Sequence, residues 1–185
     1  MASIAIEFPV TINRAMPNKL LLTSFQTWLP HQKSNSSDDL LEAMARSVDL
    51  DRFTLLRKLP VDTKTAAERV IEKIKAIQPK GVVCCGMAES RSQLTVESNA
   101  TCDRDCRFTR LDLTELITRT SNTKISHDAG KFVCEGLYYQ ILSYLETNNL
   151  DIFCVFVHVP RFEIDNLEAI ERDFRAIINF IDAKV

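Results

Sequence analysis

Residues 151–160 read DIFCVFVHVP, and this stretch decides the fold. Its centre is apolar at successive positions rather than at every second one, and Pro160 ends it. A strand that is apolar on both faces must be covered on both faces, which is typical of parallel sheets in α/β proteins. Similar apolar runs occur at residues 19–25, KLLLTSF, and 81–88, GVVCCGMA. The sequence therefore predicts a sheet buried between two layers of helices.

Helical patterns alternate with these strands along the chain. Residues 62–79 carry apolar side chains at helical spacing, and Pro79 ends the pattern. This alternation predicts a three-layer α/β/α fold with a mostly parallel central sheet. We predict further helices at residues 34–48, 112–120 and 165–184 and one starting near Lys131, and further strands at 52–61, 92–99 and 123–127.

The composition is that of one globular domain. A chain of 185 residues can bury a core, and a net charge of −2 argues against a nucleic-acid partner. No apolar stretch is long enough to cross a bilayer, and the first ten residues lack the basic start of a signal peptide. Cysteines within apolar strands, such as Cys154, indicate reduced thiols. We therefore expect a cytoplasmic protein with a variable extension at residues 1–18 and a single domain at residues 19–185.

Three chemically useful side chains come near the ends of predicted strands. Cys134 begins a helix after the loop HDAG, His158 closes the strand at 151–160, and Glu97 follows the strand residues SQLTV. Ligands of open parallel sheets bind beyond the carboxyl ends of the strands. We therefore expect the three side chains to share one site.

These residue types suit acyl transfer by a thiol. Backbone N–H groups at a helix start favour a thiolate at Cys134 and can hold an oxyanion. An imidazole such as His158 can activate the thiol and later protonate a leaving amine. A carboxylate such as Glu97 can fix the imidazole tautomer. Taken singly, each residue has a simpler interpretation as a packed cysteine, a strand-end histidine or a solvated turn residue.

Other constellations are weaker. Cys102 and Cys106 stand three residues apart, but no second pair with zinc spacing accompanies them. His127 lies near Cys134 in the chain but precedes the loop. The sequence has neither a Walker loop nor a dinucleotide-binding glycine motif. We therefore expect no metal and no cofactor.

Four segments in order resemble the pyrrolidone-carboxylate peptidase (pyroglutamyl peptidase I) family. They are LLTSFQTWLP at 21–30, CCGMAESRSQLTVESNA at 84–100, SHDAGKFVCEGLYYQIL at 126–142 and FVHVP at 156–160. The family's typical motifs read T-G-F-E-P-F-G-G, G-x-A-x-x-R/Y-S-x-I-T-x-E-R-x-A-x-N, S-x-x-A-G-x-Y-x-C-N and F-I-H-V-P. The chain resembles a shortened and divergent member of this family of cysteine peptidases.

The resemblance implies an activity and a set of site residues. The family removes N-terminal pyroglutamyl residues from peptides without a metal. By resemblance, Cys134 is the nucleophile, His158 the general base and acid, and Glu97 the residue that orients the histidine. Phe25 and Trp28 correspond to aromatic substrate-binding residues, and the segment near Cys84 to one that offers backbone hydrogen bonds.

The chain also departs from the family pattern. Leu29 and Pro30 replace a glycine pair, Ser98 replaces an arginine, and Glu135 replaces an asparagine. The segments after the glutamate and after HVP are shorter than in the family. Two alternatives therefore stay open: a triad hydrolase or amidase with another small acyl substrate, and a non-catalytic paralogue that binds a peptide or partner. The possible homo-oligomer is a further expectation.

Overall fold

A computed structural model describes residues 19–47, 52–163 and 165–184. The predicted extension at residues 1–18 lies outside the described residues. The described residues form these helices and strands, in chain order: β1 (Leu20–Phe25), α1 (Ser36–Ser47), β2 (Phe53–Leu59), α2 (Thr63–Ile77), β3 (Gly81–Met87), β4 (Thr95–Glu97), β5 (Asn99–Cys102), β6 (Asp105–Phe108), α3 (Leu113–Ile117), β7 (Lys124–Ser126), α4 (Val133–Thr147), β8 (Phe153–Val159) and α5 (Leu167–Ala183).

Local sequence signals set several of these boundaries. The Asp62 carboxylate accepts the Thr65 N–H and so caps the start of α2. The same helix ends at Ile77; its C-cap residue Gln78 adopts a left-handed conformation with φ 44°, and Pro79 follows. In the loop before α4, Gly130 has φ 91°, a conformation that a residue with a Cβ rarely adopts.

The main sheet has the strand order β2-β1-β3-β8-β4-β7. Neighbours among β2, β1, β3 and β8 run parallel. β4 runs antiparallel to β8 and parallel to β7. The predicted mostly parallel α/β sheet is therefore confirmed, with two short strands reversed at one edge.

Helices cover both faces of the sheet, which explains why its central strands are apolar throughout. Leu20 and Val83 point to the layer of α1, α3 and α5, whereas Leu21 and Val82 point to the layer of α2 and α4. All four side chains are fully buried. Burying such a side chain contributes about 1.5–3 kcal/mol.

A β-hairpin occupies the segment around Cys102 and Cys106, for which the sequence pattern predicts no strand. β5 and β6 pair antiparallel, and the turn places Asp103 at φ 54°. The short strands lack the alternating pattern that would have revealed them. Within the described ranges, no group of three or more His, Cys, Asp or Glu side chains is arranged to hold a metal ion.

Two further observations bear on the expectations from composition. All six cysteines of the chain are free thiols. Within residues 19–47, 52–163 and 165–184, the structure has no helix with the length and apolar character needed to cross a membrane.

Candidate active site

Glu97 and His158 form a buried hydrogen-bonded pair. Glu97 Oε1 lies 2.7 Å from His158 Nδ1, and the two residues are 0% and 5% exposed. Burial acts to raise the pKa of Glu97, but the hydrogen bond from His158, a contribution from Ser126 and the charges of His158 and Arg91 together outweigh it and lower that pKa. The ionised carboxylate therefore accepts the Nδ1 proton. This leaves Nε2 of His158 as the nitrogen that can take a proton.

The antiparallel direction of β4 explains how Glu97 reaches His158. The sequence interpretation treated all three site residues as lying at one carboxyl edge of a parallel sheet. In the structure, the carboxyl end of β4 points the other way, and Glu97 lies opposite Phe156 rather than at the edge. Because Phe156 and His158 are two residues apart, they share a face. Glu97 therefore meets the ring diagonally across the two strands.

Cys134 is the second residue of α4, and its thiol lies over Gly86 of β3. A Cβ atom built on Gly86 would lie 2.7 Å from Cys134 Sγ, so the thiol occupies the space that a larger residue would fill. Gly86 is the register partner of His158. Thiol and imidazole therefore lie over neighbouring positions of the same sheet face. Adjacent strands are about 4.8 Å apart, which brings the two groups into one site.

The environment of Cys134 keeps its thiol neutral at rest. Burial, with smaller contributions from the neighbouring Cys84 and Glu97, raises the pKa of the Cys134 thiol to about 12, although the charge of Arg91 acts to lower it. The helix position alone predicts a preformed thiolate. The buried surroundings outweigh that effect, so a base must take the thiol proton before the sulfur can act as a nucleophile.

The first turn of α4 offers free backbone donors beside the thiol. Its N-cap residue is Phe132, which makes no side-chain capping hydrogen bond. The first N–H groups of a helix lack partners within the helix. They lie at the positive end of the helix dipole and are suited to an oxyanion.

Arg91 joins the site, although the sequence interpretation did not select it. Its guanidinium donates to Glu97 Oε1 at 2.5 Å, to Thr95 Oγ1, and to the Asp128 carbonyl at 2.8 Å. The Arg91 side chain is 23% exposed. A usable signal was present, because Arg91 occupies the R/Y position of the family motif quoted above.

Two exposed aromatic rings stand at the start of α4. Trp28 and Phe132 have ring centroids 4.8 Å apart and are 48% and 53% exposed. Trp28 was selected from the sequence and Phe132 was not. Phe25 and Cys84 are buried in the α2 and α4 layer, at 2% and 0% exposure. The roles of Phe25, Trp28 and Cys84 in substrate binding stay predictions.

Glu135 links α4, the helix that carries Cys134, to the hairpin. Its carboxylate accepts hydrogen bonds from the Thr101 N–H and from the Thr101 hydroxyl. Tyr139, four residues further along α4, donates to Asp105 at 2.6 Å. Glu135, where the family motif has asparagine, therefore anchors β5 on α4, and Tyr139 anchors β6.

Fold and geometry together define a class of protein: a three-layer α/β protein with a candidate thiol acyl-transfer site. No protein-family model matches the chain. Curated relatives named pyrrolidone-carboxylate peptidase do match it. The protein of Oceanobacillus iheyensis is 25% identical over 167 residues, 77% of this chain and 83% of the relative. The protein of Thermoanaerobacter sp. is 27% identical over 175 residues, 80% of this chain and 85% of the relative.

Solved structures share the fold. A mutant pyrrolidone carboxyl peptidase from Pyrococcus furiosus aligns with TM-score 0.76 and 19% identity, covering 90% of this chain and 99% of the other. Pyroglutamyl peptidase I from Bacillus amyloliquefaciens aligns with TM-score 0.77 and 18% identity, covering 90% and 97%. The chain is a divergent relative of the pyrrolidone-carboxylate peptidases and has their fold, as the motifs predicted.

Proposed function

We propose that the chain is a cysteine exopeptidase that hydrolyses the amide bond after an N-terminal pyroglutamyl residue. Cys134 is the nucleophile, His158 the general base and acid, and Glu97 the residue that orients the ring. One observation carries the proposal: the buried Glu97–His158 pair lies beside the strand position that the Cys134 thiol covers. The names of the curated relatives supply the substrate class.

The first half-reaction forms a thioester. His158 Nε2 takes the thiol proton as Cys134 Sγ attacks the pyroglutamyl carbonyl carbon. Glu97 stabilises the imidazolium that results. The N–H groups of the first turn of α4 hold the oxyanion. When the intermediate collapses, the C–N bond breaks, and His158 gives its proton to the leaving amine.

The second half-reaction restores the thiol. His158 removes a proton from water, the hydroxide oxygen attacks the thioester carbonyl, and the C–S bond breaks. The proton returns from His158 to Cys134, and free pyroglutamate leaves. Because the resting thiol is neutral, Cys134 carries its proton both before and after each catalytic cycle.

The surroundings of the thiol support a flat, uncharged acyl group. Trp28 and Phe132 present aromatic surface beside the first turn of α4. A lactam ring fits aromatic walls and needs few polar contacts. Phe25 and Cys84 are buried between the sheet and the layer of α2 and α4. There, backbone groups rather than side chains can form hydrogen bonds to the lactam ring.

A second candidate, a hydrolase of another small acyl amide, is favoured by the first loop. The backbone N–H groups of Trp28 and Leu29 both bind Gln32 Oε1, and Gln32 Nε2 binds Glu89 at 2.9 Å. This loop is held by its own side chains where the family has a glycine pair. We place either enzyme in the cytoplasm, as a single peptidase-like domain at residues 19–185 that acts on peptides or acyl amides and forms a possible homo-oligomer.

The test is release of 7-amino-4-methylcoumarin from its L-pyroglutamyl amide under reducing conditions. Prolyl and glutaminyl amides are the matched substrates, since the first lacks the lactam carbonyl and the second carries a charged amine. We expect hydrolysis of the pyroglutamyl amide only. Cys134→Ala abolishes it, whereas Cys106→Ala, a half-buried thiol on the hairpin, retains it.

Three results would contradict the proposal. Equal activity of Cys134→Ala and the native protein would exclude the nucleophile. Hydrolysis of other acyl amides with the pyroglutamyl amide ignored would support the second candidate. Absence of turnover with every acyl amide would support a binding paralogue.

A further inference from the structure

Arg91 bridges three parts of the candidate site. Nη1 donates to Glu97 Oε1 at the end of β4, and Nη2 donates to the Asp128 carbonyl in the loop before α4. A longer contact of 3.4 Å joins Nη2 to Ser126 Oγ at the end of β7. One guanidinium thus connects the carboxylate of the triad to the segment that leads into the nucleophile helix.

We propose that Arg91 is a positioning residue of the triad, which keeps Glu97 ionised and aimed at His158 and fixes the Asp128 loop that presents Cys134. The planar guanidinium can serve two acceptors at fixed angles, which an ammonium group cannot do in the same way. The inference rests on the proposed function for its catalytic meaning. Its geometry stands independently of the substrate.

Electrostatics supports this role. An ionised carboxylate at 0% exposure is costly unless it is paired. Arg91 lowers the pKa of Glu97 and acts in the same direction on the pKa of Cys134. Removing its charge therefore raises both pKa values.

Other titratable groups facing this cluster come from separate elements. His158 of β8 binds Glu97, and Cys84 of β3 raises the pKa of the thiol. In the loop after β7, the Asp128 carboxylate binds the Gly130 N–H, and His127 Nδ1 lies 2.7 Å from Ser98 Oγ. Lys131 is exposed just beyond that loop. Arg91 is the cation that contacts the triad carboxylate directly.

Arg91→Met is expected to lower kcat/KM roughly tenfold to a hundredfold, the effect of a modest misplacement. The acid limb of its pH profile moves to higher pH, because Glu97 protonates earlier on acidification. Cys134 is alkylated more slowly at each pH, because its pKa is higher. Arg91→Lys keeps the charge, so its pH profiles stay near those of the native protein while kcat/KM stays low.

The experiment measures iodoacetamide labelling of Cys134 against pH by peptide mass spectrometry, alongside kcat/KM against pH. Arg52→Met is the matched control, because Arg52 makes a comparable ion pair to Asp182 at the opposite end of the sheet. Methylguanidine should restore part of the activity lost in Arg91→Ala and leave the activity of Arg52→Met, which is expected to be near native, unchanged.

The outcomes separate the two proposals. Native protein that is inactive on pyroglutamyl amides would sink the proposed function, and the labelling profile would still decide the role of Arg91. Labelling profiles of Arg91→Met and native protein that superimpose would overturn the positioning role. The positioning role would also be overturned if a lowered Tm fully explained the activity loss of Arg91→Met and Arg52→Met lost as much activity.

Discussion

Two buried carboxylates, Asp38 and Glu97, have similar partners and different degrees of saturation. Asp38 lies in the first turn of α1 at 5% exposure. Its Oδ1 accepts from Ser24 at 2.7 Å, and Arg57 grips both oxygens at 2.8 Å. The same guanidinium also binds Glu42. Both oxygens of Asp38 therefore accept hydrogen bonds from side chains of the protein.

Glu97 is paired less completely. Oε1 serves both Arg91 and His158, whereas Oε2 is buried and has no hydrogen-bond partner among the described residues. An unpartnered buried oxygen costs free energy that a purely structural carboxylate would avoid. Glu97 also faces a titratable ring. A carboxylate with all its hydrogen-bond partners is suited to stabilising the fold, whereas an incompletely paired one beside an imidazole indicates a candidate site of chemistry.

Glu97→Gln gives the largest expected effect and tests the functional side of this comparison. A neutral amide keeps the size of the side chain but no longer stabilises the His158 cation, so kcat/KM falls on the order of a thousandfold or more. Thermal unfolding should change less than in Asp38→Asn. A variant that keeps most of its activity yet unfolds as readily as Asp38→Asn would reverse the assignment of the two carboxylates.

Gly86→Ala gives the next effect, because it crowds the thiol without changing any ionisable group. The added Cβ would lie 2.7 Å from Cys134 Sγ and 2.8 Å from Phe156 Cζ. Displacing the thiol lowers kcat/KM roughly a hundredfold. Gly81→Ala is the matched control at the other end of β3, since its Cβ meets Ile181 and Leu20 side chains at 3.0 Å. Equal activity losses in the two variants would show that β3 packing, rather than thiol position, is responsible.

Asp38→Asn gives the smallest effect on turnover and tests the structural side. Breaking a buried ion pair should lower the free energy of unfolding by about 3 kcal/mol, while kcat per folded molecule is retained. Burial acts to raise the pKa of Asp38, but Arg57 and Ser24 lower it overall. The stabilisation is therefore present above the unfolded pKa of about 3.9 and is lost as the pH falls through the lower folded value.

Urea unfolding from pH 7 to pH 2 checks this sign. The stability difference between native protein and Asp38→Asn should shrink on acidification. A difference that is constant with pH would mean that Asp38 is stabilising through its shape rather than its charge.

The layered fold could be predicted because its signals are local. Apolar runs such as the one before Pro160 require cover on both faces, and helical spacing with Pro79 marks α2. The hairpin around Asp103 could not be predicted, because strands of four residues carry too little periodicity. The reversal of β4 was also hidden, since a three-residue strand has no direction in its composition.

Motifs in the sequence propose residues for the candidate site, but they do not predict the contacts between those residues. Motifs select Cys134, His158 and Glu97 as candidates. The hydrogen bond from Arg91 to the Asp128 carbonyl cannot be predicted in this way, because it depends on how two loops pack together. The neutral state of the thiol also depends on burial, which a helix position cannot reveal.

Trp28 is the single tryptophan of the chain and lies against Phe132 beside the nucleophile helix. Excitation at wavelengths where tryptophan absorbs and tyrosine does not therefore excites one indole, which is half exposed to solvent. In the proposed enzyme, its emission should change when an acyl ring binds beside it. Stopped-flow mixing would then time substrate entry, thioester formation and product departure in the unlabelled protein.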